Sequence, residues 1–153
     1  MMKPVEFMLV KLSTDQFAVL RDMFRPDTPI GVVTQLSFGA DEKEKIVVVS
    51  ASFRFESDEF QAPFIILETK AYFRIKTESW NRMYDVEAEI LSLEKDFARH
   101  LSVIVIGTSR GILHNRTEGS DMNQVILPLI NVEEILKEDV VINIILALKK
   151  TEQ

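Results

Sequence analysis

A chain of 153 residues with no cysteine fits one domain (1–153) and forms no disulfide. At this length a fold buries roughly 70% of the surface its unfolded chain would expose, so a core needs no covalent staple. The balance of 24 acidic against 18 basic residues, net charge −6, argues against nonspecific nucleic-acid binding, which needs basic surface to displace counterions.

The opening MMKPVEFMLV lacks the basic region, apolar run and small-residue cleavage site of a signal peptide. No apolar run reaches the ~20 residues of a membrane span. A cytoplasmic protein without membrane insertion is the expectation.

The first half reads as strands. VEFMLVKL (5–12) is apolar and extended, and IGVVTQLSF (30–38) alternates in part. After the polar turn GADEKEK, IVVVSASFRF (46–55) places Val47, Val49, Ala51, Phe53 and Phe55 on one face. Its other face holds Ile46, Val48, Ser50, Ser52 and Arg54. The turn ESDEFQAP follows. FIILETKAYFRIK (64–76) then puts Ile65, Leu67, Ala71, Phe73 and Ile75 opposite Phe64, Ile66, Glu68, Lys70, Tyr72 and Arg74. Short turns between consecutive strands predict an antiparallel meander. One sheet face is apolar. The other is apolar at the strand ends and charged in the middle, the kind of surface that packs on another subunit or binds something apolar.

The second half reads mainly as helix. Residues 85–96 fit a short helix or a last strand. From Phe97 to Asn115 two signals compete. SVIVIG is β-branched and favours strand. Phe97, Leu101, Ile104, Val105, Thr108 and Ile112 nevertheless repeat with a helical period, and the helix would run ~28 Å at 1.5 Å per residue. A polar loop (116–124) leads to VILPLI, extended around Pro128. Asn131 is a good N-cap for VEEIL, with Glu133 and Glu134 at the positive end of a closing helix. The apolar run 140–148 continues that helix or forms a separate element.

Motifs for catalysis are weak. GTSRG (107–111) has two glycines four apart but lacks the Gly-Lys-Ser/Thr ending of a phosphate loop, so helix packing is the simpler role. His100 and His114 stand fourteen residues apart, not at metal-ligand spacing, and no cysteine completes a site. Ser102 and Ser109 lack a nucleophile-elbow context. No catalytic residue, metal or cofactor is therefore assigned. The acidic cluster Glu56, Asp58 and Glu59 sits on a predicted hairpin tip, either solvated or docking a basic partner.

In order, these elements resemble the SecB family of protein-export chaperones and its SecB-like relatives. The resemblance spans roughly 5–138. It is carried by the hairpin KIVVVSASFRFESDEFQAPF, the strand FIILETKAYFRI and the helix start Phe97-Ala98-Arg99. The pair Arg110-Gly111 and the segment ILPLINVEEIL, anchored by Pro128 and Asn131, complete it. The resemblance implies an α+β fold: a four-stranded antiparallel sheet with a long helix and a C-terminal helix on one side, assembled as a homo-oligomer, dimer or tetramer. It implies a holdase for unfolded or pre-secretory polypeptides, using no nucleotide. A translocation ATPase or a dedicated toxin or antitoxin client would be its further partner. The implied peptide groove comprises Phe53, Phe55, Phe64, Ile66, Tyr72, Phe73, Ile135 and Leu136. Docking falls to Glu56, Asp58 and Glu59, and Arg99, Gly107, Arg110, Gly111, Pro128 and Asn131 are structural. The glycines would permit close packing or end the helix. An acidic export-docking surface is interrupted here by Arg54 and Phe55. The rival reading keeps the fold as a specific partner- or small-ligand-binding module; burial of the mixed sheet face against 139–150 would favour it.

Overall fold

The structure is a computed structural model that describes residues 3–144. Four long strands form one antiparallel sheet: β1 (Phe7–Val19), β2 (Ile30–Asp41), β3 (Ile46–Ser57) and β4 (Pro63–Ile75). β2, β3 and β4 form the expected meander. β1 pairs with β4 rather than with β2, giving the order β1-β4-β3-β2. The chain crosses from one sheet edge to the other through a short 3-10 turn, Arg21–Met23. The first strand is also longer than its apolar run, because residues 13–19 pair with β4 despite their polarity.

Directly opposed residues in these antiparallel pairs share a face, so the register assembles rows across the sheet. The inner rows are Leu12–Ala71–Val49–Phe38, Thr14–Thr69–Ala51–Leu36 and Phe17–Leu67–Phe53–Thr34. Over this face runs α2 (Lys95–Thr117), 23 residues long, packed on β3 and β4. Its buried side chains are Ala98, Leu101, Ser102, Val105, Ile106, Ser109, Leu113 and Thr117. Helical periodicity therefore prevails over the β-branched SVIVIG run, since only a helix presents this set on one stripe. Small residues line both layers, Ala51 and Ala71 on the sheet and Ala98 and Ser102 on the helix, all fully buried. The buried hydroxyls Ser102, Ser109 and Thr117 bond to the carbonyls of Ala98, Val105 and Leu113 at 2.7–2.8 Å, so they enter the core satisfied.

The strands and α2 are joined by α1 (Thr77–Met83), β5 (Tyr84–Asp85) and β6 (Ile90–Leu93). Residues 85–96 thus supply strand and the start of α2 rather than a helix of their own. After α2 the chain makes a 3-10 turn, Asp121–Gln124, then extends to α3 (Val132–Ile135). Asn131 caps α3 as expected, accepting from the Glu133 amide at 3.1 Å. The closing helix is only one turn long. Residues 140–143 instead form β7, which pairs with β6 in a second sheet ordered β5-β6-β7. Residues 145–148 of the apolar run lie outside the described residues. No helix among the described residues is long and apolar enough to cross a membrane.

Among the described residues one buried side-chain polar atom is orphaned: the Thr69 hydroxyl, on the inner face of β4, has no hydrogen-bond partner. A desolvated, unbonded hydroxyl costs ~1–3 kcal/mol, and valine has nearly the same shape. Thr69→Val is expected to raise stability by about 1 kcal/mol, read as a higher urea midpoint with unchanged slope. A lower midpoint would show that the hydroxyl is bonded in solution.

Candidate functional site

The expected groove residues do not form one surface. Phe53, Phe55 and Phe73 lie on the inner face, 0–1% exposed, under α2 and the segment that follows it. They are core, and of the three only Phe55 also borders a surface slot. Phe64 was expected on the opposite face with Ile66 and Tyr72. It is instead the extra residue of a bulge, between Ile65 opposite Phe55 and Pro63 opposite Glu56. The bulge turns its ring inward, 4.9 Å from Phe24 and 6.4 Å from Phe55 between ring centroids, and it too is fully buried. Ile66 and Tyr72 stay on the outer face, half-buried. Ile135 is exposed on α3, and Leu136 packs on the core.

The open apolar surface is built by different residues, along the extended segment Val125–Ile130. Two arginines of α2 hold this stretch and the turn after it. Arg110 donates from Nε to the Leu127 carbonyl and from Nη2 to the Pro128 carbonyl, both at 2.8 Å. Arg99 donates from Nε to the Leu136 carbonyl at 2.8 Å and from Nη2 to the Glu133 carbonyl at 3.4 Å. The guanidinium forks thus take the place of a sheet partner. Val125 and Leu127 face the core and are buried, while Ile126 and Leu129 face outward, 67% and 92% exposed. On one side of Ile126 is a hollow lined by Gly107, Arg110, Gly111, His114 and Val125. On the other, Ile30, Gly31, Val32, Phe55, Gln124 and Pro128 line a slot against the β2 edge. The signal for this ridge was the Pro128-centred apolar run, but an alternating pattern around a proline does not say which side is buried.

Gly107 and Gly111 lie on the outer face of α2, where a Cβ would meet nothing within 4 Å. Neither close packing within the chain nor helix termination requires them, since α2 continues to Thr117. They keep the wall of the hollow low, next to an exposed Val103. His100 touches the Phe7 ring and His114 faces Glu118 at 3.5 Å; both are exposed.

The acidic hairpin is partly neutralised by two arginines, Arg54 as its place in the sequence suggests and Arg25 from a distant turn. Glu59 faces Arg25 and Glu56 faces Arg54, each at 3.9 Å. The outer sheet face is open: none of its residues on β1–β4 is buried. At its middle, Asp15 accepts from Lys70 Nζ at 2.7 Å and from Ser13 Oγ at 2.8 Å. The Lys70 bond, then the Ser13 bond, hold the Asp15 carboxyl below its usual range, and the Asp15 bond raises the Lys70 ammonium above its own. Residues 139–144 bury no residue of this face, and residues 145–150 lie outside the described residues.

Two outcomes follow. Arg110→Met keeps the aliphatic stem and removes both bonds, so stability should fall by about 2 kcal/mol, with faster amide exchange confined to 125–130. Uniform loss of protection across the sheet would contradict this local role. For the ion pair, the depressed Asp15 contributes stability above the unfolded value of about 3.9, lost as pH falls through the folded one; the raised Lys70 contributes below about 10.4, lost as pH rises through its folded one. Asp15→Asn should therefore cost about 0.5 kcal/mol in urea at pH 7 and nothing at pH 2, the pair being one-third exposed.

No family model matches the chain, and no curated protein matches it. Two solved structures are similar. One is the SecB-like chaperone of Mycobacterium tuberculosis in complex with a ChAD peptide from the HigA1 antitoxin: TM-score 0.43, 16% identity, 84% of this chain and 86% of that one. The other is a protein of unknown function from Streptococcus agalactiae, with TM-score 0.43 and 17% identity over 84% of this chain and all of that one.

Proposed function

We propose that this chain is a SecB-like holdase that binds extended apolar segments of non-native polypeptides, without nucleotide or catalytic step. The observation that carries the reading is the exposed Ile126 ridge between a mainly apolar hollow and a slot of mixed polarity, fastened from beneath by Arg110. Extended clients present apolar side chains alternately, and an open apolar surface takes them with little sequence preference. The resemblance in the helix-to-Asn131 segment supports the same reading, since Arg110, Pro128 and Asn131 are the residues that shape and hold this surface.

The working form is a cytosolic homo-oligomer. Val103, exposed on the outer side of α2 and outside the hollow, offers apolar surface to a second copy. Clients are pre-secretory polypeptides or a dedicated toxin or antitoxin. Because Arg25 and Arg54 sit at the acidic hairpin, docking of a translocation ATPase through Glu56, Asp58 and Glu59 is the weaker assignment, and a dedicated client the stronger.

Light scattering of an aggregation-prone protein during refolding tests the holdase, with the mass of this chain read in the same buffer. Suppression at a near-stoichiometric ratio of oligomer to client is expected. The double substitution Ile126→Ser, Leu129→Ser should raise the amount needed at least fivefold while leaving the melting temperature unchanged, both side chains being exposed. A strictly monomeric chain that leaves aggregation untouched would remove the proposal.

A further inference from the structure

The outer sheet face has a second surface, independent of the polypeptide-holding ridge. Its cross-strand rows differ in chemistry from one end to the other. The middle rows, Ser13–Lys70–Ser50–Ser37 and Gln16–Glu68–Ser52–Gln35, are polar. The two rows at the Phe7 end of β1 are Met8–Arg74–Ile46 and Lys11–Tyr72–Val48. Here apolar side chains and cations alternate. Met8 is 66% exposed, and Val10, the extra residue of a β1 bulge, is exposed beside it. A hollow lined by Glu6, Phe7, Met8, Arg74 and Lys76 lies at the same end.

The charges of this face are not equally satisfied. Lys70 is held by Asp15, Lys76 by Glu6 at 2.9 Å, and Arg54 by Glu56. The Asp41 carboxylate, at the far end of the Met8 row, accepts from the Glu44 amide. Lys11 lies 5.0 Å above the Tyr72 ring and Arg74 beside Met8, and among the described residues neither has a carboxylate within ion-pair distance. Lys11, which feels the Asp15 carboxylate only at longer range, and Arg74 thus stand in neighbouring rows as two cations without an ion pair, set among the apolar side chains of this end.

We propose that this end of the sheet docks an acidic, apolar segment of a partner protein. Apolar side chains of that segment would cover Met8, Ile46, Val48 and Tyr72, and its carboxylates would meet Lys11 and Arg74. Covering the patch with an uncharged partner would desolvate both cations without compensation, and a basic partner would be repelled. A polyanion such as nucleic acid supplies charge but leaves the apolar rows exposed, and the net negative chain repels it. Methionine, tyrosine and arginine together are also the residue types that concentrate binding energy at protein interfaces.

The test uses the full chain and two fluorescent twelve-residue peptides. One alternates Glu with Leu and Phe; its analogue has Lys in place of Glu. Fluorescence anisotropy should show binding of the acidic peptide, weakened at least tenfold between 50 and 300 mM salt on the order expected for close charge pairs, and little binding of the basic one. Arg74→Glu and Lys11→Glu, at exposed positions, should each weaken the acidic peptide tenfold or more, and the pair together should transfer affinity to the basic analogue. Equal binding of the two peptides would overturn the proposal, as would no binding of the acidic one. So would a salt-independent affinity, which the unaltered chain reports even if a variant misfolds. A dimer whose mass falls to that of a monomer in Arg74→Glu would also overturn it, by giving the patch to a second copy of the chain.

Discussion

The contact between α2 and the inner face of the four-stranded sheet is the constraint from which the other features derive. A single helix covers the two central strands only if it comes close, and closeness requires small side chains in both layers. Ala51, Ala71, Ala98 and Ser102 provide them. The serines and Thr117 bring hydroxyls into this layer, each bonded to the preceding turn of its own helix. Thr69 has no such internal acceptor, because a strand offers its carbonyls to neighbouring strands instead.

One helix does not reach the sheet edges. Over β2 and β3 the gap is filled by the extended segment after α2, which packs Val125, Leu127 and Val132 into the same core. Such a segment, without a strand beside it, leaves backbone carbonyls in need of donors, and Arg99 and Arg110 supply them. The arrangement puts the alternate side chains, Ile126 and Leu129, on the outside. The apolar surface is thus a consequence of how the core is closed. Over β1 the helix layer stops short, and Leu9, Leu12 and Leu20 remain exposed.

Among the described residues the outer sheet face has no covering layer, and its chemistry varies along the strands rather than across them. Its centre is neutralised internally by Asp15 and Lys70. Its Phe7 end is left apolar and positive, while the opposite end carries the arginine-buffered acidic hairpin. A sheet with one face packed and the other differentiated in this way presents separate surfaces, so the polypeptide-holding and docking roles proposed above would not compete for space.

Period-2 alternation marked β3 and β4 with the correct inward face; over 97–115 a helical spacing competed with a β-branched run, and the helix, which the resemblance implied, extends two residues further at each end. The Asn131 cap was equally plain, because capping is a contact between residues two or three apart. Everything that depended on partners distant in the chain was decided by the tertiary structure. The place of β1 beside β4 is one case, since its polar second half is strand only because β4 offers hydrogen bonds. The bulge that buries Phe64 is another, because an alternating pattern assumes an unbroken register. Residues 140–143 became strand through pairing with β6, which local propensity does not encode. The aromatic residues that looked suited to a groove were taken by the core, as α2 covers them. The apolar side chains left exposed are Ile126 and Leu129, on a segment whose backbone is held by Arg110 of the helix that precedes it in sequence. Local periodicity and capping are short-range and legible in sequence; which apolar side chains remain exposed depends on what the rest of the chain packs against them.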